Sequence, residues 1–101
     1  MLNVIIKTVI KSFADRQTEQ FYVLGKSRYI PPNLWRVAMR KLFQLNYSRD
    51  IADLASPAGN RLEALKGDRQ GQYSIRINDQ YRVCFEFRGG DAYNVEIIDY
   101  H

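Results

Sequence analysis

The first half of the chain combines one strand pattern with two helical patterns. Residues 9–13 follow a strand pattern and predict an opening strand. Asp15 is suited to cap a first helix with Glu19 in its first turn, and Gly25 predicts where that helix ends. The apolar stripe of this helix consists of Phe21, Tyr22 and Leu24.

A second helical pattern extends from residue 33 to about residue 47, after the helix-starting pair Pro31-Pro32. Its apolar face consists of Leu34, Ala38, Leu42 and Leu45. The cations toward its other side are Arg36, Arg40 and Lys41. These cations form either a solvated helix face or a docking surface for a large nucleic acid. Residues 53–60 then break regular structure, because proline, glycine and asparagine lie close together.

The second half of the chain predicts a series of antiparallel strands. A short strand at residues 61–65 precedes a polar loop at residues 66–71. Three longer strands follow, joined by a turn at residues 78–80 and a hairpin at residues 88–91. Their alternating apolar sets are Tyr73, Ile75 and Ile77, then Tyr81, Val83, Phe85 and Phe87, then Tyr93, Val95 and Ile97. The pattern predicts an α+β domain with an N-terminal strand and two helices packed on a mainly antiparallel sheet.

The turn at residues 78–80 determines which side chains face each other. The two flanking apolar sets share one core, so a three-residue turn places Ile77 opposite Tyr81. Arg76 then lies directly across from Arg82 on the opposite face, where like charges destabilise a sheet. Either an anion such as a phosphate lies between the two guanidinium groups, or they splay into water or pair with Glu86 or Glu96.

Length and composition indicate a single domain over residues 1–101, with 46% apolar residues and a modest core. Residues 1–8 precede the first strand pattern and are a candidate N-terminal extension. Cys84 is the only cysteine, and its apolar strand context predicts a buried structural thiol in a cytoplasmic protein. No apolar run approaches the ~20 residues of a membrane span, so no membrane partner is expected.

The formal net charge of +4 originates in the first half of the chain. Residues 1–60 contain nine Lys and Arg against four acids, whereas residues 61–101 contain six against seven. A polyanionic partner fits this surplus, because neutralised phosphates supply most non-specific nucleic-acid affinity.

The chain ends on Asp99-Tyr100-His101, directly after a strand pattern, and His101 is its only histidine. Histidine transfers protons near neutral pH. In the simpler interpretation a strand ends in a polar turn, since terminal residues are usually poorly ordered. In the functional interpretation the terminus is catalytic, because an antiparallel meander can bring Arg82 and the loop cation Lys66 close to it.

This set of acid–base and cationic groups suits RNA cleavage without a metal or cofactor. It contains no cysteine and no carboxylate cluster with the spacing of zinc ligands, and the chain has no phosphate-binding glycine loop. In such cleavage the 2′-OH of the RNA attacks the adjacent phosphate. A base and an acid move the protons, and cations offset the charge that grows on the phosphorane.

Three segments of the second half resemble HigB-type toxins of the RelE/ParE superfamily: residues 59–69, 71–85 and 95–101. The most specific features are Leu65-Lys66-Gly67-Asp68-Arg69, the pair Tyr81-Arg82 in a strand, and the final Asp99-Tyr100-His101. The opening strand pattern also resembles that of the family, so the resemblance covers residues 9–101 and leaves residues 1–8 outside it.

The resemblance implies a bacterial toxin that cuts mRNA in the ribosomal A site. Its partner would be a HigA-type antitoxin with a helix-turn-helix domain, and the complex would bind the operator DNA of its own operon. The functional positions of the family correspond to Lys66, Arg82, Asp99, Tyr100 and His101. Some members carry a histidine where this chain has Glu63, and no role is assigned to Glu63.

Roles within the set follow from chemistry. We expect His101 to transfer a proton, and its own α-carboxylate favours the imidazolium form, which suits an acid. Arg82 and Lys66 would stabilise the phosphorane, and Asp99 would support the local geometry or the proton transfer. Tyr100 would stack on a base or position the phosphate. The cations expected to bind RNA are Arg61, Arg69, Arg76, Arg36, Arg40 and Lys41.

Two other functions remain open at this level. A ParE-like toxin shares the fold and targets DNA gyrase without nuclease residues, although the terminal Asp-Tyr-His argues against it. A non-catalytic RNA- or protein-binding module would depend on the basic helix alone.

Overall fold

The computed structural model describes residues 8–100, so His101 and residues 1–7 of the candidate extension lie outside the described residues. Within that range the chain forms two α-helices, α1 (Arg16–Leu24) and α2 (Trp35–Asn46). The antiparallel sheet has the order β1-β2-β3-β4. Its strands are β1 (Glu63–Ala64), β2 (Tyr73–Arg76), β3 (Tyr81–Arg88) and β4 (Asp91–Asp99). The predicted α+β class is confirmed.

The helices begin and end close to where the sequence predicts. Asp15 caps α1 by accepting a hydrogen bond from the Thr18 N–H at 2.6 Å, and Gly25 ends it with φ 76°. The predicted stripe is wrong at Leu24, which is 62% exposed, whereas Phe21 is fully buried. The hydroxyl of Thr18 accepts a hydrogen bond from the Ile97 N–H of β4, and this contact orients α1 so that Thr18 and Phe21 face the sheet.

The apolar face predicted for the second helix is confirmed, because Leu34, Ala38, Leu42 and Leu45 are all buried. The segment predicted to be irregular instead contains two 3-10 turns, Ile51–Ala55 and Ala58–Asn60. The first of these turns is stabilised by a capping box between Asp50 and Asp53, a local feature that the proline and glycine signals obscured.

The two sides of the sheet have different roles. The core face packs on the helices through the fully buried side chains Ile75, Val83, Phe85 and Val95. The other side, here called the outer face, carries Ser74, Arg76, Arg82, Cys84 and Glu96. The predicted turn register is confirmed, because Arg76 pairs with Arg82 and the Ile77 N–H donates to the Tyr81 carbonyl at 2.9 Å.

A bulge in β4 alters the predicted orientation of Tyr93 and interrupts the predicted opening strand. Asn94 adopts a left-handed conformation with φ 53°, and the β3–β4 register shifts between Cys84 and Glu86. Tyr93, predicted on the core face, therefore shares the other face with Arg88, whose guanidinium carbon lies 4.1 Å from its ring centre.

The opening segment is also affected by the bulge. It lies parallel to β4 and contacts it at two isolated bridges on either side of Asn94, so the predicted opening strand is interrupted. The Lys11 N–H donates to the Ala92 carbonyl at 2.8 Å, and the Val95 N–H donates to the Ser12 carbonyl at 3.1 Å. Neither helix within residues 8–100 has the length and hydropathy that a membrane span requires.

Candidate active site

The guanidinium group of Arg82 is the fixed centre of the outer face. Its Nε donates to Ser74 Oγ at 2.9 Å, and its Nη2 donates to the carbonyl oxygen of Arg61 at 2.6 Å. Ser74 is fully buried on the neighbouring strand, so the guanidinium plane is held from two sides. Two of the five guanidinium N–H groups are thus engaged. No other hydrogen bond to the described residues occupies the remaining ones, so they are available to an anion.

Tyr100 covers Arg82 from the end of β4. The guanidinium carbon lies 5.5 Å from the centre of the Tyr100 ring, within the range of a cation–π contact. The Tyr100 N–H donates to the carbonyl of Gln80, which holds Tyr100 against the turn between β2 and β3. The side chain remains 43% exposed, so its ring is accessible to a ligand.

Lys66 lies in a groove beside Tyr100. It precedes the 3-10 turn Gly67–Arg69 and is exposed. The groove has a volume of about 720 Å³ and is lined by Glu63, Ala64, Leu65, Lys66, Asp68, Arg69 and Tyr100. Tyr100 therefore lies between the groove that contains Lys66 and the guanidinium of Arg82. Of the predicted catalytic set, Lys66 and Tyr100 line this groove together with Glu63, and Arg82 contacts the Tyr100 ring.

Arg69 connects the groove to the sheet through a salt bridge. Its Nη1 forms a salt bridge with Glu96 Oε1 at 2.7 Å and donates to Gln72 Oε1 at 3.0 Å. The hydrogen bond to Glu96 raises the pKa of Arg69. This salt bridge holds the Gly67–Arg69 turn against β4. Because Glu96 offsets the charge of Arg69, this residue contributes less positive potential than its formal charge suggests.

The structure places Asp99 away from Arg82. In β4 it lies on the same face as Ile97, across from Tyr81, whereas Arg82 pairs with Ile98. Asp99 Oδ2 accepts a hydrogen bond from Gln80 Nε2 at 3.0 Å. Asp99 also lines a cavity of about 280 Å³ on the helix side. Strand alternation therefore places Asp99 and Arg82 on opposite faces of the sheet, and the two are not grouped as predicted. His101 lies outside the described residues.

Arg76 and Arg82 lie opposite each other, but their guanidinium groups bind different partners. The Nη2 of Arg76 pairs with Asp79 in the following turn, while Arg82 is held by Ser74. Arg76 therefore pairs with an acid, but the acid is Asp79 and not Glu86 or Glu96, and Arg82 forms no salt bridge among the described residues. Arg61 is exposed and contributes its backbone carbonyl to the site.

The cations of α2 do not form one surface. Arg36 and Arg40 are exposed, but Lys41 is only 6% exposed and its ammonium donates to Asn60 Oδ1. The predicted place of Lys41 on the solvent-facing side is wrong, because the segment that ends in the Ala58–Asn60 turn covers it. Burial lowers the pKa of Lys41, and the charges of Arg40 and Arg76 lower it further.

Two buried residues next to the site, Ser74 beneath Arg82 and Asn60 directly before Arg61, were not predicted from the sequence. The signal for Ser74 was a small polar side chain on the same face of β2 as Arg76, within reach of a long side chain on the next strand. The signal for Asn60 was its place in the family motif directly before Arg61. Burial raises the pKa of Cys84 to about 11, which keeps this thiol protonated, as its predicted structural role requires.

Sequence comparisons place nearly the whole described chain in one family. A family model for the RelE-like toxin of type II toxin–antitoxin system HigB matches residues 11–101. The chain is 42% identical over 83 residues to "Toxin HigB-1" of Vibrio cholerae, covering 81% of this chain and 87% of that protein. It is 30% identical over 93 residues to "Endoribonuclease HigB" of Proteus vulgaris, covering 92% of this chain and 100% of that protein.

Structural comparisons identify the same fold in two more distant proteins. YafQ from E. coli matches with a TM-score of 0.55 at 13% identity, over 89% of this chain and 90% of that one. The YoeB–YefM complex from Staphylococcus aureus matches with a TM-score of 0.54 at 17% identity, over 91% and 97%. The resemblance inferred from the motifs is thus confirmed, and the chain belongs to the HigB-like family of RelE-like toxins of type II toxin–antitoxin systems.

Proposed function

We propose that this toxin is a metal-independent endoribonuclease that cuts mRNA in the A site of the ribosome. The observation that carries the proposal is the grouping of Lys66, Arg82 and Tyr100 on the outer face and its adjoining groove. The relative from Proteus vulgaris that is named an endoribonuclease supports the reaction type.

The reaction that fits this set is an internal transfer at phosphorus. The 2′-oxygen of the RNA forms a bond to the adjacent phosphorus, and the bond from phosphorus to the 5′-oxygen breaks. A base removes the 2′-OH proton and an acid protonates the 5′-oxygen, which leaves a cyclic phosphate and a free 5′-OH. Fixed cations contribute most where they point at the charge that develops on the phosphorane.

Each residue of the set has a role that suits its position. Arg82 is immobilised by two hydrogen bonds and binds the phosphorane oxygens, while Lys66 adds a second cation from the groove. Tyr100 has an accessible ring on which a base can stack. His101 follows Tyr100 directly and donates the proton to the leaving oxygen. Asp99 acts indirectly, because it holds Gln80, whose carbonyl binds the Tyr100 N–H.

The partners follow from charge and family. The exposed cations Arg36 and Arg40 on α2, with Arg61 and Arg76 and the partly neutralised Arg69, contact ribosomal RNA and mRNA. Lys41 is excluded from this surface by its burial. A HigA-type helix-turn-helix antitoxin neutralises the toxin in the cytoplasm, and operator DNA is bound only through that complex. The YoeB–YefM structure is titled as a complex, which supports a bound partner.

Arg82→Ala tests the proposal most directly. We expect the rate of mRNA cleavage on purified ribosomes to fall by about 10²-fold or more, since Arg82 is a fixed donor to the developing charge. Lys66→Ala and His101→Ala are expected to lower the rate as well. Primer extension on a translated mRNA measures the rate, and growth arrest on induction measures toxicity.

Arg88→Ala is the matched control. Arg88 is also on β3, but it lies six residues from Arg82, which is about 20 Å along a strand, and stacks on Tyr93. This variant is expected to keep full cleavage. Unchanged cleavage by Arg82→Ala at an equal folded fraction contradicts the proposal. Inhibition of gyrase supercoiling without mRNA cleavage indicates the ParE-like alternative.

A further inference from the structure

Asn60 is a fully buried polar residue that joins three segments of the chain. Its Nδ2 donates to the carbonyls of Leu54 at 3.1 Å and Ser56 at 3.3 Å, and to Gln44 Oε1 of α2 at 3.0 Å. Its Oδ1 accepts from the buried ammonium of Lys41. Both ends of this amide are therefore fixed, and the Ala58–Asn60 turn is held against α2.

The residue that follows this anchor holds the proposed catalytic arginine. Arg61 adopts a left-handed conformation with φ 45° and ψ 54°, which is unfavourable for a residue with a β-carbon. Its N–H donates to the Ala58 carbonyl at 3.1 Å, and its carbonyl accepts from Arg82 Nη2 at 2.6 Å. The position of this carbonyl depends on the turn before it, and that turn depends on the amide of Asn60.

We propose that Asn60, anchored by Lys41, is a positioning residue for Arg82. The buried Lys41–Asn60 pair holds the left-handed turn at Arg61 in place, and the Arg61 carbonyl in turn fixes one side of the Arg82 guanidinium. The inference rests on the proposed function and extends it to two buried residues that touch no substrate. It also explains why a lysine is buried beside an amide: its role is to fix a loop and not to bind RNA.

A double-mutant cycle tests this link. Asn60→Ala is expected to lower the single-turnover cleavage rate on ribosomes by about tenfold or more, because small misplacements of a catalytic group are costly. In an Arg82→Ala background the same substitution is expected to change the remaining rate by less than about twofold, since its effect acts through Arg82. An equal fold-loss in both backgrounds overturns the inference.

A second variant distinguishes the loss of positioning from a folding defect. Asn60→Ala leaves the Lys41 ammonium buried without its acceptor, which is strongly destabilising. Lys41→Met combined with Asn60→Ala removes this charge together with its partner. The double variant is expected to fold and to show the same loss of cleavage as Asn60→Ala. Wild-type cleavage by the folded double variant overturns the inference.

Asn46→Ala is the matched control for the loss of a buried asparagine from the same region. Asn46 is 4% exposed on α2, and its Oδ1 accepts from the N–H groups of Val9 at 3.0 Å and Ile10 at 2.9 Å in the opening segment. We expect it to lower stability but to leave the cleavage rate of the folded protein unchanged. A tenfold loss of cleavage by this control overturns the specific link to Arg82.

A measurement without RNA separates this inference from the proposed function. The Nε–H signal of Arg82 in a ¹⁵N spectrum reports its hydrogen bond to Ser74. In the double variant the signal is expected to shift and to exchange faster with water, while the Nε–H signal of Arg69 remains unchanged. An unchanged Arg82 signal overturns the inference even where cleavage is confirmed. Absent cleavage by the wild-type toxin, with the expected spectral change, removes only the proposed function.

Discussion

Individual buried polar side chains join parts of this domain that are far apart in sequence. Asn46 binds the backbone of the opening segment, Thr18 binds the Ile97 N–H, and Asn60 binds two loop carbonyls. Each satisfies a backbone group that the helices and strands leave unpaired. Their loss is expected to cost more than one hydrogen bond, because the buried partner is left unpaired.

Asp53 has a similar role at the surface, and its effect depends on pH. Its Oδ2 accepts from the N–H groups of Arg49 at 2.8 Å and Asp50 at 3.1 Å, and these hydrogen bonds lower the pKa of Asp53. A pKa that is lower in the folded state means that the carboxylate stabilises the fold above its unfolded pKa of about 3.9. This contribution is lost as the pH falls through the folded-state pKa.

We therefore expect Asp53→Ala to lower the free energy of unfolding at pH 7 and to have a smaller effect at pH 3. Urea denaturation of the wild type and the variant across this range measures the difference. Asp68→Ala, which removes another exposed carboxylate, is the charge-matched control. A difference that stays constant from pH 7 to pH 3 contradicts the assigned role of the Asp53 carboxylate.

Among the secondary-structure elements, the bulge in β4 decides which side chains face the core. Ala92 and Val95 are both buried although they are three residues apart, which regular alternation does not allow. The left-handed Asn94 between them supplies the extra residue, and its N–H donates to Ser12 Oγ at 2.8 Å. The bulge thus connects the opening segment to the sheet and turns Tyr93 toward Arg88.

Two substitutions at Asn94 separate backbone strain from lost side-chain contacts. Both Asn94→Val and Asn94→Gly remove the hydrogen bond from Nδ2 to Glu86, but only glycine adopts a positive φ without strain. Asn94→Val is expected to be less stable than Asn94→Gly by about 1–2 kcal/mol. Urea midpoints of the two variants measure this difference. Equal stability contradicts a left-handed bulge at this position.

Across the whole molecule, the candidate site and the exposed helix cations belong to different elements of the fold. Arg82, Tyr100 and the Lys66 groove are organised around the outer face of the sheet, whereas Arg36 and Arg40 are exposed on α2. Such a division suits an enzyme that docks on a large polyanion with one surface and cuts a strand with another.

Charge reversal on α2 tests this division. Arg36→Glu combined with Arg40→Glu is expected to raise the ribosome concentration for half-maximal cleavage by about tenfold, because two phosphate contacts become repulsive. The rate at saturating ribosomes is expected to stay unchanged. Lys26→Glu combined with Arg28→Glu makes the same charge change at other exposed positions and is the control. An equal shift in both double variants shows that net charge, and not the α2 surface, governs docking.

Local patterns alone predicted much of this protein. The cap at Asp15, the stop at Gly25 and the register that pairs Arg76 with Arg82 all depend on neighbouring residues, and each is confirmed. The family was also evident from short motifs, because the Lys66 loop, the Tyr81-Arg82 pair and the terminal residues are contiguous stretches of sequence. The α+β class followed from the order of these patterns.

Which of these residues contact each other is determined only by the tertiary structure. The burial of Lys41 depends on Asn60, nineteen positions later. One partner of Arg82 is a backbone carbonyl whose position depends on a left-handed residue, Arg61. Asp99 lies on the helix side because strand alternation places neighbouring residues on opposite faces. Such contacts depend on how distant segments pack, so periodicity within one segment contains no information about them.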